Sequence, residues 1–353
     1  MSEDELASTL DDSRRREKKP PGEVLFADEL VDLGFLARGG MGEVRRVRDT
    51  RLNRVLAVKV LHHELVDDER AHARFLAEAQ ATSQLQHPGI VAVHSRGELD
   101  DGRPWFTMTE IRGRTLAQVL REARAGAADA WNLREQVEAL RRACQAVAHA
   151  HDNGVVHRDL KPANIMVGAF GEVLVLDWGL ARLVAGESAP RERLVETGDA
   201  PVTRAGQVMG TPTHMAPEQA MGGTVGPSAD VHALGAILHE MLTGELPYGR
   251  DADEAWRRVR RGPRPSPIHR TPTGRPAPPL ELVETCERAL ERDPARRPAD
   301  ATELSREITA WLDGARKREQ ALELVEEADA RRPLLDDRAR RVAQLREEAR
   351  ELL

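Results

Sequence analysis

A chain of 353 residues, 40% of them hydrophobic, is long enough to bury one large core or two smaller ones. Its 59 acidic and 52 basic residues leave a formal net charge of −7, so no global positive field exists to draw in nucleic acid. The two cysteines, Cys144 and Cys286, exclude a disulfide framework and show no zinc spacing; they fit a reducing compartment as small buried apolar groups.

The chain opens with MSEDELASTL, which lacks a basic stretch followed by an apolar core, so no secretory signal is expected. Residues 1–27 read as a disordered polar arm that includes the basic cluster Arg14-Arg15-Arg16-Glu17-Lys18-Lys19. Over 31–60, short β segments flank Gly39-Gly40-Met41-Gly42, which predicts a two-stranded hairpin with a glycine-rich tip. Residues 67–85 read as a helix with Phe75, Leu76, Ala79 and Leu85 on its apolar side, and 91–93 and 105–108 as two further strands. Strands with one helix make a small lobe. After Gly113 the pattern turns helical. Residues 135–151 place Val137, Leu140, Cys144, Val147 and Ala148 on one face; 229–243 is more apolar throughout, as a buried helix should be; 280–290 and 301–311 follow.

The polar stretch over 181–210 has no periodicity, and a loop of that length inside a compact domain is usually functional. No apolar run is long enough to span a bilayer: the strongest, 231–242, is broken by His232, His239 and Glu240, so a cytoplasmic chain without a membrane span is expected. Residues 315–353 read as mostly helical and densely charged, interrupted by Pro333. Beyond it Leu335, Val342, Leu345, Ala349 and Leu352 follow heptad spacing, with Arg338 the exception. Packing on the parent domain and self-association through a helical seam are both open.

The chemistry concentrates in His157-Arg158-Asp159-Leu160-Lys161-Pro162-Ala163-Asn164, followed by Asp177-Trp178-Gly179. This brings a carboxylate, a cationic neighbour, an amide oxygen and a second carboxylate within about twenty residues, the groups needed to move a phosphoryl group from Mg-ATP to a hydroxyl. Further strings stand in order on both sides: the glycine-rich residues 36–44; Lys59 in Leu56-Ala57-Val58-Lys59; Glu78 in Phe75-Leu76-Ala77-Glu78-Ala79; His87-Pro88-Gly89-Ile90-Val91; Ala216-Pro217-Glu218; and Arg297 in Asp293-Pro294-Ala295-Arg296-Arg297-Pro298. On these motifs the chain resembles the eukaryotic-type protein kinases, and among them the bacterial Ser/Thr kinases, from about residue 28 to about 312.

The resemblance implies an α+β, two-lobed protein kinase fold: a β-rich N-lobe with one main helix over 28–110, a larger helical C-lobe over 111–312, and a charged helical tail over 313–353. It implies an ATP-dependent protein serine/threonine kinase that uses Mg²⁺ and a protein substrate with a Ser or Thr acceptor. In that scheme Ala37, Gly39, Gly40, Gly42 and Val44 form the lid over the phosphates, with Ala37 standing where the family carries its first glycine. Lys59 contacts the α- and β-phosphates and pairs with Glu78. Ala57, Met108, Glu110 and Ile111 border the adenine. Asp159 is the catalytic base, Lys161 steadies the γ-phosphate, Thr211 contacts both, and Asn164 and Asp177 are the metal ligands.

Lys161 in Asp-Leu-Lys-Pro is the Ser/Thr-kinase form. Trp178 takes the place of the usual Phe, and its indole N–H needs a partner if buried. By the same resemblance Glu218 pairs with Arg297, and Asp230 holds the catalytic-loop backbone. Arg158 and Arg182 suggest control by phosphorylation of the 181–210 loop, with Thr203 the first acceptor and Thr197 the second. The rival readings are a pseudokinase scaffold, for which only Ala37 speaks, and a small-molecule phosphotransferase, which the long segment ending at Ala216-Pro217-Glu218 disfavours.

Overall fold

The computed structural model describes residues 29–178, 182–183, 212–267 and 277–351, which fall into two compact units. The first unit comprises residues 29–86 and 90–112. It is a five-stranded antiparallel sheet of β1 (Leu30–Arg38), β2 (Gly42–Asp49), β3 (Arg54–Leu61), β4 (Val93–Glu98) and β5 (Pro104–Thr109), in the order β1-β2-β3-β5-β4. One helix, α1 (Glu69–Gln84), packs on it.

The middle strand β3 is apolar almost throughout because both its faces are buried. Leu56, Val58 and Val60 pack with Val47, Leu99 and Trp105 on one side. Leu61, on the other, packs with Phe75 and Ala79 of α1 and Phe106 of β5. The Asp68 carboxylate caps α1 by accepting from the Arg70 and Ala71 N–H groups at 2.9 and 3.1 Å.

The expectation of a two-stranded hairpin over 31–60 is corrected to three strands. The missed turn, Asp49 to Asn53, contains no Gly or Pro. It is built by the Asp49 side chain, which accepts from the Arg51 and Leu52 N–H groups at 3.1 and 3.2 Å, and by Asn53 at φ +48°. The strand expected at 91–93 begins at Val93 and runs on to Glu98.

The second unit holds residues 87–89 and the described residues from 113 onward. Its helices are α2 (Leu116–Ala125), α3 (Leu133–Asp152), α4 (Pro217–Ala220), α5 (Pro227–Thr243), α6 (Ala252–Arg261), α7 (Leu280–Ala289) and α8 (Ala301–Glu351). Two small sheets accompany them. One pairs β7 (Val155–Val156) with β10 (Arg182–Leu183); the other orders β6 (Gly113–Thr115), β8 (Ile165–Gly168) and β9 (Val173–Val175) as β6-β8-β9.

Helix α5 is the core of this unit: every residue from Ala229 to Thr243 is buried, which explains why it is so apolar apart from Asp230, His232, His239, Glu240 and Thr243. Gly235 permits the close approach of α7, since a Cβ there would lie 2.6 Å from the Ala289 Cβ. Capping boxes start α2 (Thr115 with Gln118) and α3 (Asn132 with Glu135), and left-handed Gly126 and Gly244 end α2 and α5.

The interruption expected at Pro333 is not present, because α8 runs as one helix from Ala301 to Glu351. Proline removes one N–H donor and leaves the Asp329 carbonyl without its intrahelical partner. Asp329 is exposed, so water can satisfy that carbonyl. Among the described residues no helix is long and apolar enough to cross a membrane.

Candidate active site

In the first unit the β1–β2 connection is the glycine-rich tip. The Gly39 N–H donates to the Gly42 carbonyl at 2.8 Å, and the His62 N–H donates to the Met41 carbonyl at 3.0 Å. The His62 ring Nε2 donates to the Gly39 carbonyl at 2.8 Å. Gly42 is required by close approach, since a Cβ there would sit 2.2 Å from the Val60 carbonyl oxygen. At Gly40 a Cβ would meet nothing within 4 Å, so the tip is open.

Strand register pairs Ala37 with Val44, Val44 with Lys59, and Ala57 with Met108. Directly opposed residues share a sheet face, so five expected nucleotide-binding positions line one face. Lys59 reaches from that face to α1, where its Nζ donates to Glu78 Oε1 at 2.6 Å; the two side chains are 13% and 5% exposed. A lysine amid apolar strand neighbours needs such a counter-charge. Glu110 is engaged elsewhere: its carboxylate accepts from Arg46 of β2, with Arg112 at 3.8 Å. Ile111 lies two residues beyond the end of β5.

In the second unit the loop after β7 carries Asp159. Its Oδ2 accepts from Lys161 Nζ at 2.7 Å and from Asn164 Nδ2 at 3.3 Å, and Asn164 Nδ2 also donates to the Asp159 carbonyl at 2.9 Å. Asp159, Lys161 and Asn164 are therefore one cluster. Its backbone is strained. Arg158 has φ +69° and Asp177 φ +64°, two of the three non-glycine residues at positive φ among those described. Such residues cost on the order of 1–3 kcal/mol each and persist only where surrounding bonds hold them.

For Arg158 that bond comes from α5. The Asp230 carboxylate accepts from the His157 and Arg158 N–H groups at 2.7 and 2.8 Å and from His151 Nε2 at 3.0 Å. Burial by itself would raise the Asp230 pKa. The hydrogen bond and charge of His151, the charge of His157 and the Arg158 N–H outweigh it and hold the group below the usual carboxylate value. From the other side Gln219 Nε2 donates to the Arg158 carbonyl at 2.9 Å. Asp177 follows Leu176, whose N–H donates to the Asn164 carbonyl at 2.8 Å and whose carbonyl accepts from His157 Nε2 at 2.9 Å. Trp178 is buried against His157, and its Nε1 finds the Val175 carbonyl at 3.3 Å.

Below this loop Arg297 is fully buried and uses all five guanidinium donors. It forms a two-point pair with Glu218 at 2.7 and 2.8 Å and donates to the carbonyls of Glu291, Ser228 and Arg292. Thr211, Thr197, Thr203 and the Arg182 side chain lie outside the described residues. Reading the sequence left out His62, His151 and Gln219. Gln219 carried a weak signal, its place beside Glu218; the two histidines carried none.

Residues 30–308 match the family described as "Protein kinase domain", and the chain belongs to that family. It is 38% identical over 293 residues to the serine/threonine-protein kinase pkn3 of Myxococcus xanthus, covering 80% of this chain and 50% of that protein. It is 35% identical over 287 residues to the serine/threonine-protein kinase PknB of Mycobacterium tuberculosis, covering 80% of this chain and 42% of that protein. The chain thus spans half or less of the length of these curated relatives. The fold is shared with the crystal structure of the M. tuberculosis PknI kinase domain, at a TM-score of 0.60 and 24% identity, over 82% of this chain and 99% of that one.

Proposed function

We propose that the chain is an active protein serine/threonine kinase that transfers the γ-phosphate of ATP to a Ser or Thr hydroxyl of a protein. The observation that carries this reading is the cluster in the second unit: the Asp159 carboxylate held by Lys161 and Asn164 on a loop whose strained backbone Asp230 pins. Among the described residues both side-chain bonds to Asp159 fall on Oδ2. That leaves Oδ1 to accept the proton of the attacking hydroxyl as the new O–P bond forms and ADP departs. Lys161, a donor to Asp159 in this state, would meet the charge of the transferring phosphoryl group.

The residues present fit a nucleotide and a hard divalent cation. The tip at Gly40 is open to phosphate, and Lys59 offers an ammonium oriented by Glu78. Ala57 and Met108 share the sheet face expected to border the adenine, with Glu110 and Ile111 beside them in sequence. Both described side-chain bonds of Asn164 run from its nitrogen, leaving its amide oxygen as a ligand alongside the Asp177 carboxylate. Oxygen donors suit Mg²⁺. When bound, the cation would neutralise charge on the β- and γ-phosphates. A pseudokinase would not need to retain all of these groups, and Ala37 alone does not support one. Control through Thr203 or Thr197 and Arg158 belongs to the same reading. So does a cytoplasmic setting: Cys144 and Cys286 are free and buried, and burial pushes the Cys144 thiol up to about 12.

Incubation with γ-labelled ATP and Mg²⁺, followed by phosphosite mapping, tests the proposal. Asp159→Asn should abolish transfer while ATP affinity holds, and Lys59→Met should lose transfer through misplaced phosphates. Transfer at the wild-type rate in both variants would refute it.

A further inference from the structure

Helix α8 leaves its own domain. Among its described side chains Trp311 and Leu312 are the last buried ones, and every described side chain from Ala321 to Arg350 is exposed. That is about 45 Å of helix at 1.5 Å per residue. Intrahelical ion pairs such as Glu327–Arg331, Asp329–Arg332 and Glu347–Arg350 support it in water, but each contributes little. Its exposed apolar residues include Leu322, Leu324, Val325 and Leu334, and towards the far end three more fall into register. Leu335, Val342 and Leu345 stand 63%, 48% and 47% exposed at heptad spacing, and Ala349 and Leu352 continue the spacing in the sequence. The described part of this stripe does not pack on the parent domain.

We infer that residues 335–351 form an antiparallel two-helix seam with a second copy of this chain. The orientation follows from charge. With Leu335, Val342 and Ala349 at the a positions and Arg338 and Leu345 at d, Arg341 and Glu348 flank the seam at g, and Arg346 at e. A parallel pair would set Arg338 against Arg338 inside the seam and Arg341 against Arg346 of the partner subunit at both edges. An antiparallel pair removes both conflicts. Val342 then meets Leu345 of the partner subunit, Arg338 lays its stem over the small Ala349, and Arg341 meets Glu348, each contact occurring twice by two-fold symmetry. In the single chain Gln344 bridges the last two residues, accepting from Arg341 and donating to Glu348 at 3.0 Å each, so both already lie along one edge. The seam is short, so the dimer forms in the micromolar range or above.

Sedimentation equilibrium of the full chain at low salt, from micromolar to sub-millimolar concentrations, decides the matter. The expected result is a monomer–dimer equilibrium that Val342→Glu with Leu345→Glu abolishes. Arg341→Glu alone should weaken association about tenfold, since two exposed attractive pairs become repulsive, and Arg341→Glu with Glu348→Arg should restore it. These side chains are exposed, so the melting temperature should not move; if a variant does unfold, the charge pair tests the same seam. A monomer at every concentration, or a dimer indifferent to the Val342 and Leu345 changes, overturns the inference. Stronger association in Arg341→Glu also overturns it, because only a parallel seam gains from removing that arginine.

Discussion

Replacing Asp230 with Asn is expected to destabilise the protein and disable the loop that carries Asp159. The side chain is 1% exposed and accepts three bonds, from His157 N, Arg158 N and His151 Nε2, at 2.7, 2.8 and 3.0 Å. Asparagine is the same size but keeps one acceptor oxygen and turns an N–H₂ group toward the remaining donors. The loss is at least one hydrogen bond to a charged group, about 1.5–3 kcal/mol, with a buried N–H left unsatisfied. The strain at Arg158, φ +69°, then lacks part of its compensation. Together these give about 3 kcal/mol, a large share of the roughly 5–15 kcal/mol that holds a typical domain folded.

Asp159 follows Arg158 directly, so relaxation of that φ moves the carboxylate. A displacement of about 1 Å would slow transfer by roughly 100-fold. The sign with pH follows from the lowered pKa of Asp230. Its contribution is present above the unfolded value, about 3.9, and is lost as pH falls through the lower folded value, so the gap between wild type and variant narrows only in strong acid. Urea unfolding at neutral pH, with the slope checked for constancy, and phosphotransfer on the same samples would measure both effects. Stability within about 0.5 kcal/mol of wild type, or unchanged transfer, would refute the anchoring role.

Gly42→Ala should destabilise by about 1–3 kcal/mol, because its Cβ would meet backbone at 2.2 Å, whereas Gly40→Ala should leave the melting temperature unchanged. Paired thermal melts check this, and equal effects of the two would refute it. His232, fully buried with Nε2 bonded to the Tyr248 hydroxyl at 2.9 Å, is held well below the usual 6.5 by burial and the nearby Arg297 charge. Its neutral form therefore supports the fold fully above about pH 6.5, and that support fades as pH falls below it. Unfolding free energies between about pH 6.5 and 5 should show a slope shallower by about 1.4 kcal/mol per pH unit in His232→Gln, which keeps a partner for Tyr248 but cannot take the proton; an unchanged slope would rule the group out.

Much of this protein is legible without coordinates because its chemistry is local in sequence. Asp159, Lys161 and Asn164 lie within six positions, so one loop brings them together whatever the rest of the chain does. The long helices are legible because an apolar stripe recurring every 3.6 residues has one stable solution. The Lys59–Glu78 and Glu218–Arg297 pairs, 19 and 79 positions apart, could be proposed only through the resemblance to protein kinases, and both form. Tertiary structure decided what periodicity does not encode. The turn at Asp49 to Asn53 depends on a side-chain acceptor, not on Gly or Pro, so a third strand was hidden. The bonds from His62 to the glycine tip and from His151 to Asp230 pair ordinary histidines with groups 23 and 79 positions away, a distance across which a sequence shows no pattern. The continuity of α8 through Pro333 was equally out of reach, because whether a proline ends a helix depends on what surrounds the carbonyl it frees.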